Sequence, residues 1–340
     1  MPPSTRASAT NKEDVMSDHT KNPETTAKLA FPAQKHYVSD IDETGLGAVD
    51  AVADDSAPAS LWGEAWKYLR KRPLFWIAAI IIAFSIVMAA FPQLFTRIDP
   101  NFCELSNSYA PPKAGHPFGY DRQGCDIFAR TIHGARASVI VGLLTTFMVV
   151  IIGGAFGTLA GFFGGFVDAF LSRIIDIIFA VPFILAAIVV MQMFRDNRTV
   201  FTVVLVLAVF GWPSIARITR GAVMQTKNEE FVTAAKALGE NKWKIILRHI
   251  VPNAIAPMIV YATVALGTFI VSEATLSFLG VGLPSNVVSW GGDISRAQTA
   301  LRQAPQVLFY PAGALALTVL SFIMMGDVVR DALDPKARKK

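Results

Sequence analysis

Six stretches of this 340-residue chain are apolar for long enough to cross a bilayer, and that pattern limits what it can fold into. A helix needs about 20 apolar residues to span hydrocarbon. The stretches lie near residues 74–91, 136–163, 173–194, 200–218, 254–281 and 306–325. A soluble core has no use for so many. Only 17% of the residues are charged, against about 25% in ordinary soluble domains. The expected fold class is an all-α membrane protein with six transmembrane helices. The formal net charge of +5 is no argument for nucleic acid. In membrane proteins Lys and Arg mark cytoplasmic loops.

Residues 1–60 are rich in Ser, Thr, Ala, Asp, Lys and Pro without a sustained apolar period. Such a segment buries too little to offset its ordering entropy and is expected to be a disordered tail. Residues 61–73 carry Trp62, Trp66 and Tyr68, followed by Arg70, Lys71 and Arg72. Aromatic rings suit the headgroup layer and cations its cytoplasmic side, so this reads as an interfacial segment in contact with lipid. The first transmembrane helix occupies 74–95 and stops near Pro92. Residues 96–135 form a polar segment, at the end of which 126–137 is expected as a short surface helix. Residues 136–330 hold the other five spans, with a long polar insert at 219–253. Residues 331–340 form a basic tail.

Orientation follows from the cations at span ends. The flank at 67–72, the insert at 219–253 and the final tail are Lys- and Arg-rich, and six spans put all three on one side. That side is expected to be the cytoplasm, with both termini there and 96–135 outside. The only two cysteines, Cys103 and Cys125, then fall in a compartment that permits disulfides. A Cys103–Cys125 bridge is expected, with two free thiols as the alternative.

Gly153, Gly157, Gly161 and Gly165 recur every four residues and line one stripe, where a second helix is expected to pack closely. Arg173 and Asp176 lie three apart and are expected to form a structural ion pair near the cytoplasmic surface, with a substrate site as the alternative. Glu273 is isolated deep in the fifth span, and charges there face protein or water rather than lipid. Two readings stay open for it: a wall or gate of a translocation pathway, or a bond to a neighbouring helix.

The insert is the most informative stretch. Residues 229–239 begin with two acids and end near Lys236, matching the helix dipole. Gly239 stands where a helix-terminating glycine belongs. A second short helix is expected over 241–250, with Pro252 and Asn253 breaking and capping before span five. Two short helices projecting from the bilayer would make a handle for a soluble partner. Phe231, Val232 and Leu238 would offer apolar contact, and the alanines close approach. The alternative is a linker lying on the membrane.

Glu230, Ala234, Ala235, Gly239 and Pro252 resemble the EAA loop of permeases from ABC importers. His249 and Val251 depart from its general pattern, but His249-Ile250-Val251-Pro252-Asn253 is similar to the ending found in peptide importers. His116-Pro117-Phe118-Gly119-Tyr120-Asp121, Gly124-Cys125-Asp126 and Gly134-Ala135-Arg136 resemble the N-terminal region of the C-type permease of dipeptide and oligopeptide importers. Cys125 stands where that family more often has Arg. Leu276-Ser277-Phe278-Leu279-Gly280, Ser289-Trp290-Gly291 and Arg330-Asp331-Ala332-Leu333-Asp334-Pro335 resemble its later motifs. The resemblance covers about residues 62–336.

It implies a type I ABC importer permease fold with cytoplasmic coupling helices, in the bacterial cytoplasmic (inner) membrane. Glu230, Ala234, Ala235, Gly239 and Pro252 would then couple the permease to its ATPases. The implied partners are a second permease, two ATP-binding subunits and an extracytoplasmic substrate-binding protein. The implied cargo is di- or oligopeptide, with a nickel chelate as the alternative. The chain has no phosphate-binding loop, nucleophile–base set or metal-spaced Cys/His cluster. It is therefore expected to be a transport subunit without cofactor or metal rather than an enzyme. A secondary transporter would carry inverted repeats and broken midplane helices, which the sequence does not display.

Overall fold

The computed structural model describes residues 61–333. The tail expected at 1–60, and Lys336, Arg338, Lys339 and Lys340 at the other end, lie outside the described residues. Among the described residues every regular element is helical. Five of the described helices are long and apolar enough to span a membrane, and a pair bent by 79° makes a sixth when counted as one span.

The short helix α1 (Leu61–Leu69) leaves Trp62 and Trp66 exposed and ends at the basic turn before Pro73. Pro73 opens α2 (Pro73–Ala90), where its missing N–H costs nothing. Ile80 and Phe84 project from α2 as a lipid-facing surface would. Ser85 on α2 hydrogen-bonds Thr318 at 2.8 Å. This is a small polar clasp of the kind that ties spans together.

Helix α3 (Ile127–Phe163) has 37 residues and is about 55 Å long at 1.5 Å per residue. The surface helix expected at 126–137 and the second span are thus one rod. Nothing breaks the chain between them, and Asp126 caps the start by accepting from the Ala129 N–H at 2.6 Å. The third span is not continuous. Helices α4 (Gly165–Phe179) and α5 (Phe183–Met193) meet at 79°. Pro182 disfavours a helical Val181 and cannot donate to the ladder, so the bend falls there.

Helix α6 (Val200–Thr226) runs two turns past the expected end of the fourth span. The side-chain oxygen of Thr199 caps its start. The insert holds α7 (Glu230–Ala237) and α8 (Lys242–Ile245), followed by α9 (Val251–Phe278), α10 (Trp290–Ala297) and α11 (Gln306–Leu333).

The glycine stripe packs α3 against α6. A Cβ on Gly157 would meet the Ala216 carbonyl oxygen and come within 2.7 Å of the Thr219 Cβ. Gly153 and Gly161 face Trp212 and Val223 of the same helix. Gly165 drops out of the stripe, because α3 has already ended and no atom lies near it. Val149, Met191, Leu207, Ile215 and Phe269 fill the core between α3, α5, α6 and α9.

Counting the bent pair as one span, the start of α2, the end of α3, the α6–α9 insert and the end of α11 share one end of the bundle. The 96–126 segment and α10 share the other.

Candidate functional site

The α6–α9 insert forms a two-helix projection with distinct inner and outer faces. Glu230 sits in the first turn of α7 and Lys236 in its last, each complementing the dipole. Helix α7 ends in a Schellman turn: the Gly239 N–H donates to the Lys236 carbonyl at 3.0 Å and the Glu240 N–H to that of Ala235 at 3.1 Å. Gly239 takes φ +76°, the left-handed conformation this turn demands. The Asn241 side chain then caps α8 through the Trp243 N–H at 2.9 Å.

Val232, Ala235, Ile245 and Ile250 turn inward and pack with Val223 and Ala254 at the base of α6 and α9. Val232 therefore belongs to the floor and offers no outward contact. The outer face carries Glu230, Phe231, Ala234, Leu238, Trp243 and Leu247. Leu238 is 87% exposed and Leu247 68%. Of the five residues singled out in the sequence, Glu230 and Ala234 lie on the outer face and Ala235 on the floor. Gly239 sits at the corner, and Pro252 in the first turn of α9, exposed. Trp243 and Leu247 escaped the sequence reading, although their i,i+4 spacing on a short polar helix was a usable signal.

Pro252 does not break the chain. A π-turn over Ile246–Ile250 carries α8 into α9, with the Val251 N–H donating to the Ile246 carbonyl five residues back. That widening makes room for the proline ring, which would collide with a regular turn. Asn253 is not a cap. Its side-chain amide donates to the His249 carbonyl at 2.6 Å, where α9 starts.

The rest of this end is held by charge. Arg220 grips Asp168 of α4 through two nitrogens, Nη2 to Oδ2 being 2.7 Å. Arg217 pairs with Asp176 at 2.8 Å, so Asp176 does not take Arg173 as its partner. Arg217 also lies over the Phe179 ring, a placement Arg173 on the same helix as Asp176 does not share. Lys227 Nζ donates to the Gly161 carbonyl at 2.7 Å. The cations past the fourth span thus clamp α6 to α3 and α4.

At the opposite end, Cys103 and Cys125 are joined by a disulfide. Glu273 of α9 is fully buried. It accepts from Ser138 Oγ of α3 at 2.9 Å and from Ser277 Oγ at 2.8 Å. Ser138 Oγ in turn accepts the Trp290 backbone N–H at 3.3 Å. Of the two readings open for Glu273, these bonds support the helix-bonding one, with no exposed wall at this residue. Arg130 of α3 holds Asp293 of α10 nearby. Among the described residues no three His, Cys, Asp or Glu side chains converge as a metal requires.

Residues 153–339 match the family model described as "Binding-protein-dependent transport system inner membrane component". Residues 60–112 match that described as "N-terminal TM domain of oligopeptide transport permease C". The chain is 40% identical to the oligopeptide transport system permease protein OppC of Bacillus subtilis (strain 168), over 88% of this chain and 97% of that protein. It is 38% identical to the dipeptide transport system permease protein DppC of Alkalihalophilus pseudofirmus, over 84% and 93%. It is 35% identical to a glutathione transport system permease protein GsiD of Escherichia coli O6:H1, over 87% and 97%. Among solved structures, the inward-facing MetNI methionine ABC transporter shares the fold at TM-score 0.51 and 19% identity, over 60% of this chain and 96% of that one.

Proposed function

Since the chain belongs to the binding-protein-dependent transport system inner membrane components, the permease subunits of ABC importers, we propose that it carries di- and oligopeptides across the bacterial cytoplasmic membrane. It is a multi-pass membrane protein of the inner membrane, and ATP hydrolysis belongs to separate subunits. Permeases of this family work with another permease, ATPase subunits and a binding protein. Here the second permease completes the pathway as a heterodimer, two ATPases dock on the α7–α8 projection, and the binding protein delivers peptide at the α10 end. Both termini and the projection face the cytoplasm.

The observation that carries the peptide reading is the match of residues 60–112 to the N-terminal domain of an oligopeptide permease. Relatives named for oligopeptide and dipeptide transport, aligned over nearly their whole length, support it. Docking rests on geometry. Phe231, Leu238, Trp243 and Leu247 leave large apolar side chains exposed on either side of the Schellman turn, with Trp243 edge-on to Phe163 and Phe231 near the His249 ring. ATP-driven closure of the ATPases would move that corner, and the π-turn joins it without a break to α9.

The test is reconstitution of this chain with the second permease, both ATPases and the binding protein in vesicles. Labelled di- and oligopeptides should enter only with hydrolysable ATP. Uptake driven by an ion gradient without ATP would overturn the importer reading. ATP-dependent uptake of a nickel chelate, with no competition from peptides, would overturn the cargo.

A further inference from the structure

Glu240 occupies the corner between the two halves of the projection. Its backbone closes the Schellman turn of α7. Its carboxylate accepts from Lys244 Nζ of α8 at 2.9 Å and from His249 Nε2 of the π-turn at 2.8 Å. The Glu240 side chain is only 16% exposed. His249 lies 6.5 Å, ring to ring, from Phe231 on α7, and its own carbonyl is held by Asn253 of α9. One carboxylate therefore joins the end of α7, the body of α8 and the root of α9. A Cβ on Gly239 would meet no atom within 4 Å, so no neighbouring group braces the corner at that position.

We infer that Glu240 is a positioning residue that makes the projection a rigid lever, so that displacement of α7 reaches α9 instead of being absorbed by rotation at Gly239. The inference rests on the importer reading, because the lever transmits a push from docked ATPases. The sequence hides it, since Glu240 and His249 lie nine residues apart and meet only because the π-turn swings His249 back over the corner.

The experiment measures peptide imported per ATP hydrolysed, using the full complex in vesicles. It compares wild type, Glu240→Ala, His249→Ala and the double variant. A residue that only supports folding would lower the amount of complex and leave this ratio untouched. The lever predicts a ratio lower by roughly threefold or more in each single variant, with little further loss in the double beyond Glu240→Ala, because that variant already removes the bond to His249. Glu240→Gln, which keeps an acceptor, should recover part of the ratio. A wild-type ratio in assembled Glu240→Ala overturns the inference, as does a double variant whose loss is the product of the two single losses. Should Glu240→Ala fail to assemble, an unchanged ratio in His249→Ala overturns it equally. Wild-type complex in the same vesicles separates the two failures. ATP-independent uptake there would sink the importer reading and the lever with it. ATP-dependent wild-type uptake with an unchanged variant ratio would sink the lever alone.

Discussion

Arg130 of α3 closes on Asp293 of α10, Nη2 to Oδ1 at 2.6 Å, with only 6% and 9% of the two side chains exposed. The same guanidinium reaches the Pro100 carbonyl at 2.9 Å, so one side chain ties the outer segment, the longest helix and the α9–α11 connection together. Removing one partner of a buried pair leaves the other charge uncompensated, at a cost of about 3–5 kcal/mol. Arg130→Ala should therefore lower the thermal midpoint of the detergent-solubilised protein sharply. Arg130→Lys should recover only part, because an ammonium lacks the planar fork. A midpoint unchanged in Arg130→Ala would show that the pair does not hold this end.

Burial pushes the Asp293 carboxyl up from its ordinary 3.8 to about 6, against the pull of Arg130. Arg296 and Asp121 are the other charged groups facing it. At neutral pH the group is ionised and pays a desolvation penalty. Its folded value exceeds its unfolded value, so its contribution to stability is fully present below about 4 and is lost as pH rises through about 6. The difference is at most roughly 3 kcal/mol. Thermal midpoints measured between pH 4 and 7 should thus fall more steeply with rising pH in wild type than in Asp293→Asn. Parallel profiles would refute the assignment.

The α3–α6 contact has no room for side chains at the glycine stripe. A Cβ on Gly157 already overlaps the Ala216 carbonyl and Thr219, both in a helix that cannot yield cheaply. Gly157→Leu is expected to cost several kcal/mol, at or above the usual 1–3 kcal/mol range for overpacking, and to cut membrane abundance. Gly221→Ala on the same α6 meets no neighbouring atom and should be neutral or mildly stabilising. Immunoblots of membrane fractions distinguish the two. Equal abundance of both variants would contradict the packing.

Gly239→Val places a β-branched side chain in a left-handed conformation, costing about 1–2 kcal/mol locally. The spans keep their apolar length, so insertion should proceed. Membrane abundance is expected to stay near normal while ATP-dependent uptake and co-purification of the ATPases both fall. Full uptake by an assembled variant would reduce the projection to a passive linker.

The disulfide closes a loop with a sequence separation of 22 in a segment with little core of its own. In a chain-entropy model such a loop contributes about 3 kcal/mol. Cys103→Ser should make residues 96–126 the first site of protease nicking in intact, right-side-out membranes. Mass spectrometry of unreduced, alkylated wild type should find neither thiol modified. Alkylation at both cysteines would exclude the bridge.

Orientation yields to labelling. Cysteines introduced at Ser106 or Pro111 should react with an impermeant reagent added outside intact cells, and one introduced at Lys236 should not. The reverse pattern would invert the topology.

The apolar stretches were legible in the linear sequence because they depend on local residue types. Lipid demands long apolar helices wherever the chain crosses it. Gly239 was legible as a helix terminator for the same local reason, since a left-handed residue follows from backbone sterics alone. The break at Pro182 was visible as a proline but not as a 79° bend, because many membrane prolines are absorbed without one. Pro252 is such a case, taken up by the π-turn.

The sequence by itself determined that the chain is all-helical with long apolar stretches fit to cross a membrane, and that a polar insert with its own short helices separates two of them. These are properties of periodicity and transfer energy, set residue by residue. Only the tertiary structure decided that Asp176 takes Arg217 rather than Arg173, that Val232 faces the floor, that Glu273 reaches Ser138, and that Glu240 reaches His249. Each of these depends on how a side chain meets a neighbour within angstroms. That distance is fixed by where whole helices come to rest, and no local rule supplies it.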